Sequence, residues 1–290
     1  MGKEGVNLLK LMATYDKRWG YLLLFILVLL PMIKPIGMPI SVSELTKEYY
    51  EQLQTLEEGD IVLDSWSTEY SGYMELKPGM IATHKYFIKN GIKIFICLGH
   101  PEGLALVGAL LEDELKGYME AYDYTYGEDY IILGFALPNQ AATLAMATDF
   151  QGSVKVDWKG DSIKGTFLDR VETGADIDMI ADFTTAAGNP GLINHIVLTF
   201  GTPMIQNQIG VSLPGSYMNL DAGLITGLLA STRGGSELEL LIKEPGPGLI
   251  AMDAFTLGHY LLIILIVIGN IGFFGWTKKV SEEMESTTIR

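Results

Sequence analysis

Residues 92–111 read IKIFICLGHPEGLALVGALL, which places a strand, a turn and the start of a helix in direct succession. The first seven residues form an apolar run that predicts a buried strand over 92–98. Gly99 allows a tight exit from this strand, and Pro101 suits the first turn of a helix. Leucine and valine then recur at helical spacing, so a helix is predicted over 101–119. A buried strand followed at once by an amphipathic helix is typical of an α/β sheet.

The same alternation continues on both sides of this stretch. Ser43 is an N-cap for an amphipathic helix that Gly59 closes, and a short apolar run follows. Apolar runs that alternate with helices predict a mostly parallel, doubly wound sheet, Rossmann-like or flavodoxin-like, with helices on both faces. The predicted strands are 61–63, 92–98, 130–135, 177–183, 196–200 and 210–213, and the predicted helices are 43–59, 78–90, 101–119, 139–150, 224–229 and 236–241.

Uncharged apolar segments lie near both ends of the chain. Residues 254–277 contain no Asp, Glu, Lys or Arg, which is long enough for a membrane-spanning helix of roughly 20 residues. Residues 19–40 are predicted to form a first transmembrane helix if Lys34 reaches the interface, with a cleaved signal peptide as the alternative. These spans divide the chain into a cytoplasmic or interfacial segment over 1–18, a central domain over 41–253 and a tail over 278–290.

The charges are distributed unevenly along the chain. Residues 41–253 carry 12 Lys or Arg against 30 Asp or Glu. A surface this acidic argues against a nucleic-acid partner, because phosphates need basic side chains. The basic residues beside the two spans predict cytoplasmic termini and an extracytoplasmic α/β domain in the cell membrane. These residues are Lys17, Arg18, Lys278 and Lys279.

Small residues recur at every third position of the second span. Such residues let helices approach closely in lipid, and an Asn amide can hydrogen-bond across the contact. The pattern indicates a packing seam with the first span, or with further copies or another membrane subunit. The predicted partners are therefore the lipid bilayer and a homo-oligomer or other membrane subunit. The seam consists of Gly269, Asn270, Gly272 and Gly275.

A parallel sheet places its binding sites beyond the carboxyl ends of its strands. Five segments are expected there, namely 64–66, 99–103, 134–139, 182–185 and 201–202. Each also fits an ordinary strand-to-helix turn, so a small-molecule site and a structural role remain open. The candidate ligand-binding residues are Ser65, Gly99, His100, Gly103, Gly134 and Thr202.

Catalytic signatures are sparse in this chain. The sequence has no G-x-S-x-G elbow, no P-loop and no H-E-x-x-H motif. If the protein is an enzyme, Asp64, His100 and Asp182 are the candidates for a hydrolase site around one crevice. No spacing predicts a metal site or a cofactor. His84 is interpreted as a packed core histidine and Cys97 as a small buried apolar residue.

Arg233 is a further candidate, because it is one of few cations in an acidic domain. It is predicted to pair with Glu237 one turn later, with anion binding as the alternative. Over residues 227–239 (GLLASTRGGSELE) and 34–40 (KPIGMPI), the chain resembles membrane-anchored α/β proteins of archaea and bacteria that carry no assigned activity. The resemblance implies an anchored layout and identifies no functional residue.

Together these features predict a two-span membrane protein with a non-enzymatic role. The leading hypothesis is a binding or assembly subunit of an oligomeric membrane complex, which recognises a protein partner or a small ligand. The alternatives are a membrane-tethered hydrolase and a structural component of a surface ring or lattice.

Overall fold

The computed structural model describes residues 3–137, 139–186 and 188–288. The chain divides into two compact units. Residues 40–249 form one, called here the α/β unit, and the described parts of residues 1–39 and 250–290 form the other, called the terminal unit. Residues 1, 2, 289 and 290 of the predicted terminal segments lie outside the described residues, as does Pro138 of the predicted edge segment 134–139.

Six parallel strands form the sheet of the α/β unit, in the spatial order β3-β2-β1-β4-β5-β6. The strand order therefore reverses between β1 and β4, as it does in Rossmann-like sheets, whereas a flavodoxin-like sheet has the order 2-1-3-4-5. The predicted α/β class with a parallel sheet is confirmed. The strands are β1 (Ile61–Ser67), β2 (Lys93–Leu98), β3 (Tyr130–Gly134), β4 (Met179–Thr184), β5 (Met204–Gln208) and β6 (Gly227–Ala230).

The helices connect these strands and form the terminal unit. They are α1 (Lys3–Ala13), α2 (Lys17–Ile33), α3 (Glu44–Leu53), α4 (Tyr70–Lys89), α5 (Gly103–Gly108), α6 (Lys116–Ala121), α7 (Gln140–Thr148), α8 (Phe150–Ser153), α9 (Pro190–Leu192), α10 (Leu198–Phe200), α11 (Leu213–Asp221), α12 (Ser231–Leu241) and α13 (Pro247–Thr288). Two π-helical segments and three 3₁₀ turns complete the described structure, at Ala109–Glu114, Ile193–Val197, Phe167–Arg170, Gly174–Asp176 and Gly210–Ser212.

Helices cover both faces of the sheet. One face packs its apolar side chains, such as Trp66 and Phe183, against α3, α4, α5, α6 and α12, which we call the front layer. The other face packs side chains such as Phe95 and Ile180 against α7, α8, the helical segment of residues 190–200 and α11, which we call the back layer. The chain thus has a core on each side of one sheet, as expected of a doubly wound fold.

The two main helices of the front layer approach each other backbone to backbone. A Cβ atom at Gly235 of α12 would lie 2.9 Å from the carbonyl carbon of Pro78 in α4 and would overlap the Gly79 nitrogen. Gly79 in turn faces the Asn207 side chain of β5, with no room for a Cβ. Glycine at these positions lets α4 lie close to both α12 and the sheet.

Two buried glutamates of α12 bind the chain at the two ends of the α/β unit. Glu237 accepts hydrogen bonds from Ser43 N at 2.9 Å and Thr46 Oγ1 at 2.7 Å, and Arg233 Nε lies 2.7 Å from it. Burial opposes ionisation of Glu237, but these donors outweigh it and hold its pKa below the usual value. The pairing of Arg233 with Glu237 is the one that the spacing predicts. Three backbone N–H groups, those of Gly246, Gly248 and Leu249, donate to the Glu239 carboxylate.

The sequence-based assignments are wrong beyond β4. The predicted strand 196–200 is helical, and β5 is instead the buried run Met204–Gln208, whose sequence MIQNQ is mostly polar. The predicted strand 210–213 is a 3₁₀ turn that leads into α11, and part of the predicted helix 224–229 is β6. Apolar runs of this length fit either a strand or a buried helix. β5 is mostly polar in sequence, but it is buried between the two helical layers, and this tertiary context outweighs its low intrinsic preference for a strand.

Helix α4 begins at Tyr70, eight residues before its predicted start at Pro78. A proline inside a helix removes one backbone hydrogen bond and displaces a carbonyl of the preceding turn. The carbonyl that loses its N–H donor is that of Met74, and the next two carbonyls accept side-chain hydrogen bonds. Thr232 Oγ1 donates to Glu75 O at 3.1 Å, and Asn207 Nδ2 donates to Leu76 O at 3.0 Å. These contacts fix the proline-containing turn of α4 to α12 and β5.

In the terminal unit, one helix among the described residues is long and apolar enough to cross a membrane. It covers Pro247–Ser281 of α13, and its most apolar 18-residue stretch has a mean hydropathy of 2.1. The predicted first span, 19–40, is not one helix. Helix α2 ends at Ile33 after 17 residues, or about 25 Å, and residues 34–40 are not helical. Lys34 precedes Pro35, and the residue before a proline avoids the helical region.

Helix α1 packs against the C-terminal part of α13. A Cβ at Gly272 would lie 2.6 Å from the Met12 carbonyl carbon, and one at Gly275 would lie 2.8 Å from Leu9 Cδ2. The predicted glycine seam is thus occupied by α1 at these two positions, rather than by the first apolar helix. Gly269 has open space, and Asn270 is exposed.

Asp253 of α13 binds the segment that follows α2. Its carboxylate accepts hydrogen bonds from the backbone N–H groups of Ile36, Gly37 and Met38 at 2.8 to 2.9 Å. Gly37 has φ +71, a left-handed conformation that glycine adopts without strain. The turn after α2 is therefore fixed to α13 within the terminal unit.

Candidate functional site

At the carboxyl edge of the sheet, β1 and β4 are the two neighbouring strands between which the strand order reverses. After β1 the chain enters the front layer through α4, and after β4 it enters the back layer. The loops that follow β1 and β4 therefore begin toward opposite faces of the sheet, and a ligand crevice usually lies at such a point. Hydrogen bonds join the two loops here, from Thr185 N to Ser67 O at 3.1 Å and from Glu69 N to Thr185 Oγ1 at 3.2 Å.

Several predicted candidates lie at this edge. A Cβ at Gly99 would lie 2.7 Å from Ser67 Oγ, so Gly99 borders the end of β1. His100 follows it in the turn and is partly exposed. Gly103 is the first residue of α5, where a Cβ would lie 3.1 Å from Leu98 Cδ2, and Gly134 ends β3 with φ +73. These residues lie in or beside the turns that follow β2 and β3.

Other candidates lie elsewhere. Asp64 and Ser65 are inside β1, and Asp182 is inside β4, because both strands extend further than their apolar cores suggested. Thr202 precedes β5 at the amino edge of the sheet, where its hydroxyl donates to Gly174 O at 3.2 Å. The expectation that residues 201–202 lie at the carboxyl edge is therefore wrong, since it depended on the misassigned strand 196–200. Arg233 lies in the first turn of α12, whereas the predicted helices 224–229 and 236–241 would leave it in the turn between them.

A buried polar network crosses the back face of the sheet. Ser65 Oγ donates to Asp182 Oδ1 at 2.8 Å, and Gln206 Nε2 donates to Asp182 Oδ2 at 3.0 Å. Ser216 Oγ of α11 donates to Gln206 Oε1 at 2.6 Å, and Gln208 Nε2 lies 3.3 Å from that hydroxyl. Burial raises the pKa of Asp182 to about 6, although the hydrogen bonds from Gln206 and Ser65 favour its ionised form. This carboxyl therefore titrates close to neutrality.

A second buried pair lies on the front face. His84 Nε2 is 2.8 Å from Asp64 Oδ2, and Trp66 Nε1 donates to Asp64 Oδ1 at 2.9 Å. His84 Nδ1 is 2.7 Å from Met80 O, a carbonyl that can only accept, so Nδ1 carries a hydrogen. The contact between Nε2 and the carboxyl needs one more proton, which the two groups share. Both side chains are fully buried, so His84 is the packed core histidine that the sequence predicts.

The register separates the candidate catalytic residues. Ser65 pairs with Asp182, and Asp64 pairs with Ala181, so the two carboxyls project from opposite faces of the sheet. Among the described residues, no hydrogen bond joins Asp64, His100 and Asp182. The described residues also contain no group of three or more His, Cys, Asp or Glu that could hold a metal ion. The buried carboxyls of Asp64 and Asp182 both have internal hydrogen-bond partners.

The two helical layers differ in charge, a difference that the sequence-based interpretation missed. Residues 183–220 contain no Asp, Glu, Lys or Arg, and neither do residues 130–148. These runs supply α7, the helical segment 190–200 and α11 up to its last residue, Asp221. We call the exposed side chains of residues 140–148, 190–200 and 210–220 the uncharged face. The signal that reveals it is the pair of charge-free runs in an otherwise acidic domain.

Large apolar side chains are exposed on the uncharged face. Met218 is 73% exposed and Leu198 62% exposed. The three parts adjoin one another, since α7 contacts the segment 190–200 and Gly188 lies beside Asn219 of α11. Exposed apolar and aromatic residues without charges characterise the cores of protein interfaces. The other large exposed side chains here are Leu144, Phe200, Val211 and Tyr217.

Comparison with known proteins gives no relative for this chain, as no protein-family model, curated protein or solved structure matches it. The functional interpretation therefore depends on the geometry and charge of the described residues.

Proposed function

We propose that this protein is a membrane-anchored assembly subunit whose α/β unit associates with a second copy of the chain through the uncharged face. The observation that carries the proposal is the contrast between that face and the remaining surface of an acidic unit. The role is non-enzymatic, and the buried carboxyls stabilise the fold.

Charge repulsion favours a second copy in this arrangement. Residues 41–253 hold 30 acidic and 12 basic side chains, so charged faces of two copies repel each other. The uncharged face avoids this repulsion and needs no oppositely charged partner. Two copies anchored in the same membrane also share one orientation, which suits a two-fold axis along the membrane normal.

We further propose that both ends of the chain anchor it in the cell membrane. Helix α13 supplies one span, and α2 supplies a shorter one that Lys17 and Arg18 hold at the cytoplasmic interface. With Lys278 and Lys279 also cytoplasmic, the α/β unit is extracytoplasmic. Protease added to intact cells is expected to digest residues 40–249, whereas protease added to inverted vesicles is expected to leave them intact. The opposite pattern would reverse the orientation.

The association is tested by measuring the mass of the full chain in mild detergent, over a range of concentrations. The wild-type protein is expected to dissociate from dimer to monomer on dilution. The Met218→Lys variant places a charge on the uncharged face, where we expect it to weaken the dimer at least tenfold.

A matched control comes from the front layer. Met74 of α4 is 68% exposed, close to the 73% of Met218, so Met74→Lys makes the same chemical change on the opposite side. This variant is expected to dimerise like the wild type. A monomeric wild type, or equal weakening by both variants, would contradict the proposed interface.

A further inference from the structure

A groove of about 300 Å³ lies between α2 and α13 within the terminal unit. Tyr15, Lys17 and Tyr21 line one part of it, and leucine side chains of both helices, including Leu24 and Leu265, line the remainder. The groove therefore combines a cation and two phenol groups with a long apolar wall. This combination matches an amphipathic ligand that carries a negative charge.

Gly20 keeps the groove open. A Cβ at this position would lie 3.6 Å from Leu265 Cδ1 and 3.6 Å from the Tyr15 ring, in ordinary contact. Any larger side chain would extend into the groove itself. Gly20 has no positive φ and lies in the first turn of a helix, so its small size rather than its backbone freedom matters here.

The charges near the groove favour an anion. Lys17 lines it, Arg18 follows on the same turn, and Asp16 caps the helix by accepting from Arg18 N at 3.0 Å. Two cations against one carboxylate leave a net positive charge. Lysine and tyrosine are also the side chains that membrane helices place at the level of lipid headgroups.

We propose that this groove binds an anionic phospholipid, with its phosphate at Lys17 and part of one acyl chain along the leucine wall. The site rests on the proposed membrane anchoring, since the lipid comes from the leaflet at the Lys17 end of α2. A zwitterionic lipid such as phosphatidylcholine fits the apolar wall equally well, but its ammonium group offsets its phosphate, so it gains less from the cation. A basic side chain near anionic headgroups contributes about 1 kcal/mol, or roughly fivefold in affinity.

The test uses the full chain in detergent and native mass spectrometry. The probes are phosphatidylglycerol and phosphatidylcholine with identical acyl chains, each added over a concentration series. We expect the wild type to bind phosphatidylglycerol about fivefold more tightly than phosphatidylcholine. Lys17→Gln is expected to abolish this preference, and Gly20→Leu is expected to weaken the binding of both lipids.

Lys34→Gln is the matched control, because Lys34 carries the same charge at the other end of α2 and does not line the groove. It is expected to keep the preference. Equal binding of both lipids to the wild type, or equal losses in the Lys17 and Lys34 variants, would overturn the site. The monomeric Met218→Lys variant is expected to bind lipid normally, so a failure of the proposed dimer is distinguishable from a failure of this groove.

Discussion

The front and back layers cover the same parallel sheet, yet their helices differ in the number of exposed charged side chains. The front layer contains the charged helices α3, α4, α6 and α12, most of whose acidic and basic side chains reach solvent, apart from the buried Glu237 and Glu239. The back layer presents the uncharged face, with exposed Met218 and Leu198. Both layers bury comparable apolar cores, so packing alone does not distinguish them. The exposed residues, which the fold does not constrain, are therefore the basis for the proposed association with a second copy.

The same contrast holds inside the sheet. On the front face, Asp64 is bound to a histidine and a tryptophan, whereas on the back face Asp182 is bound to neutral side chains. Because these residues are near neighbours in the strand register, their different partners allow the two faces to be compared directly.

The largest expected effect comes from removing the front carboxyl. Asp64→Ala leaves the buried His84 Nε2 and Trp66 Nε1 without their partner. Loss of one member of a buried pair costs about 3–5 kcal/mol, and we expect the free energy of unfolding to fall by that amount. Urea unfolding of the full chain in detergent, followed by tryptophan fluorescence, measures it.

The double variant Asp64→Ala, His84→Leu is the control for this prediction. It removes both polar partners of the pair, so it is expected to recover part of the loss. If Asp64→Ala alone cost less than about 1 kcal/mol, the pair would not stabilise the front face as described.

The second prediction concerns the back carboxyl and pH. The pKa of Asp182 rises from 3.8 to about 6 on folding because the group is buried. The folded state then binds the proton more tightly, so the stabilisation is complete below pH 4 and is lost as the pH rises through 6. The shift corresponds to about 3 kcal/mol.

Unfolding of wild type and Asp182→Asn at several pH values isolates this contribution. Asparagine does not titrate, so the difference in unfolding free energy between the two proteins is expected to change by about 2.5 kcal/mol between pH 4 and pH 7. Other carboxyls titrate equally in both proteins and cancel. A constant difference across this range would show that Asp182 does not titrate there.

Much of the first half of the α/β unit, up to β3, can be predicted from sequence alone, because its signals are local. β2 is apolar after Lys93, and Ser43 caps α3 as expected, with its side chain accepting from Thr46 N. The prediction fails in the second half of the α/β unit, because β5 buries Gln206, Asn207 and Gln208, which resemble a loop in sequence. Their burial depends on partners in other elements, which no periodicity reveals.

The candidate site shows the same limit. The histidine partner of Asp64 lies 20 residues away on another element, and the three donors to Glu239 come from Gly246 and the first turn of α13. Such pairings need tertiary structure. The uncharged face, in contrast, was visible in the sequence as residues 183–220, because absence of charge needs no contact to be recognised.

The third prediction tests how the front layer is held together. Gly235→Ala places a Cβ against the backbone of Pro78 and Gly79, which cannot move aside as a flexible side chain would. We expect a loss of about 1–3 kcal/mol in the free energy of unfolding, the usual cost of overpacking.

Gly108→Ala provides the control for this substitution, since a Cβ at Gly108 meets nothing within 4 Å. It is expected to be neutral or to stabilise the protein by up to about 1 kcal/mol, because alanine favours a helix. Equal effects at Gly108 and Gly235 would refute the close approach of α4 and α12.

The smallest expected effect concerns Arg233 of the front layer. Its side chain is 60% exposed, while its partner Glu237 is buried and keeps donors from Ser43 and Thr46. Arg233→Gln is therefore expected to reduce the free energy of unfolding by only about 0.5–1 kcal/mol. Lys47→Gln, which breaks the exposed pair with Glu44, is the control and is expected to cost less than about 0.5 kcal/mol. A loss above about 2 kcal/mol for Arg233→Gln would mean that the remaining donors do not satisfy Glu237 and that charge pairing, rather than packing, holds this end of the front layer.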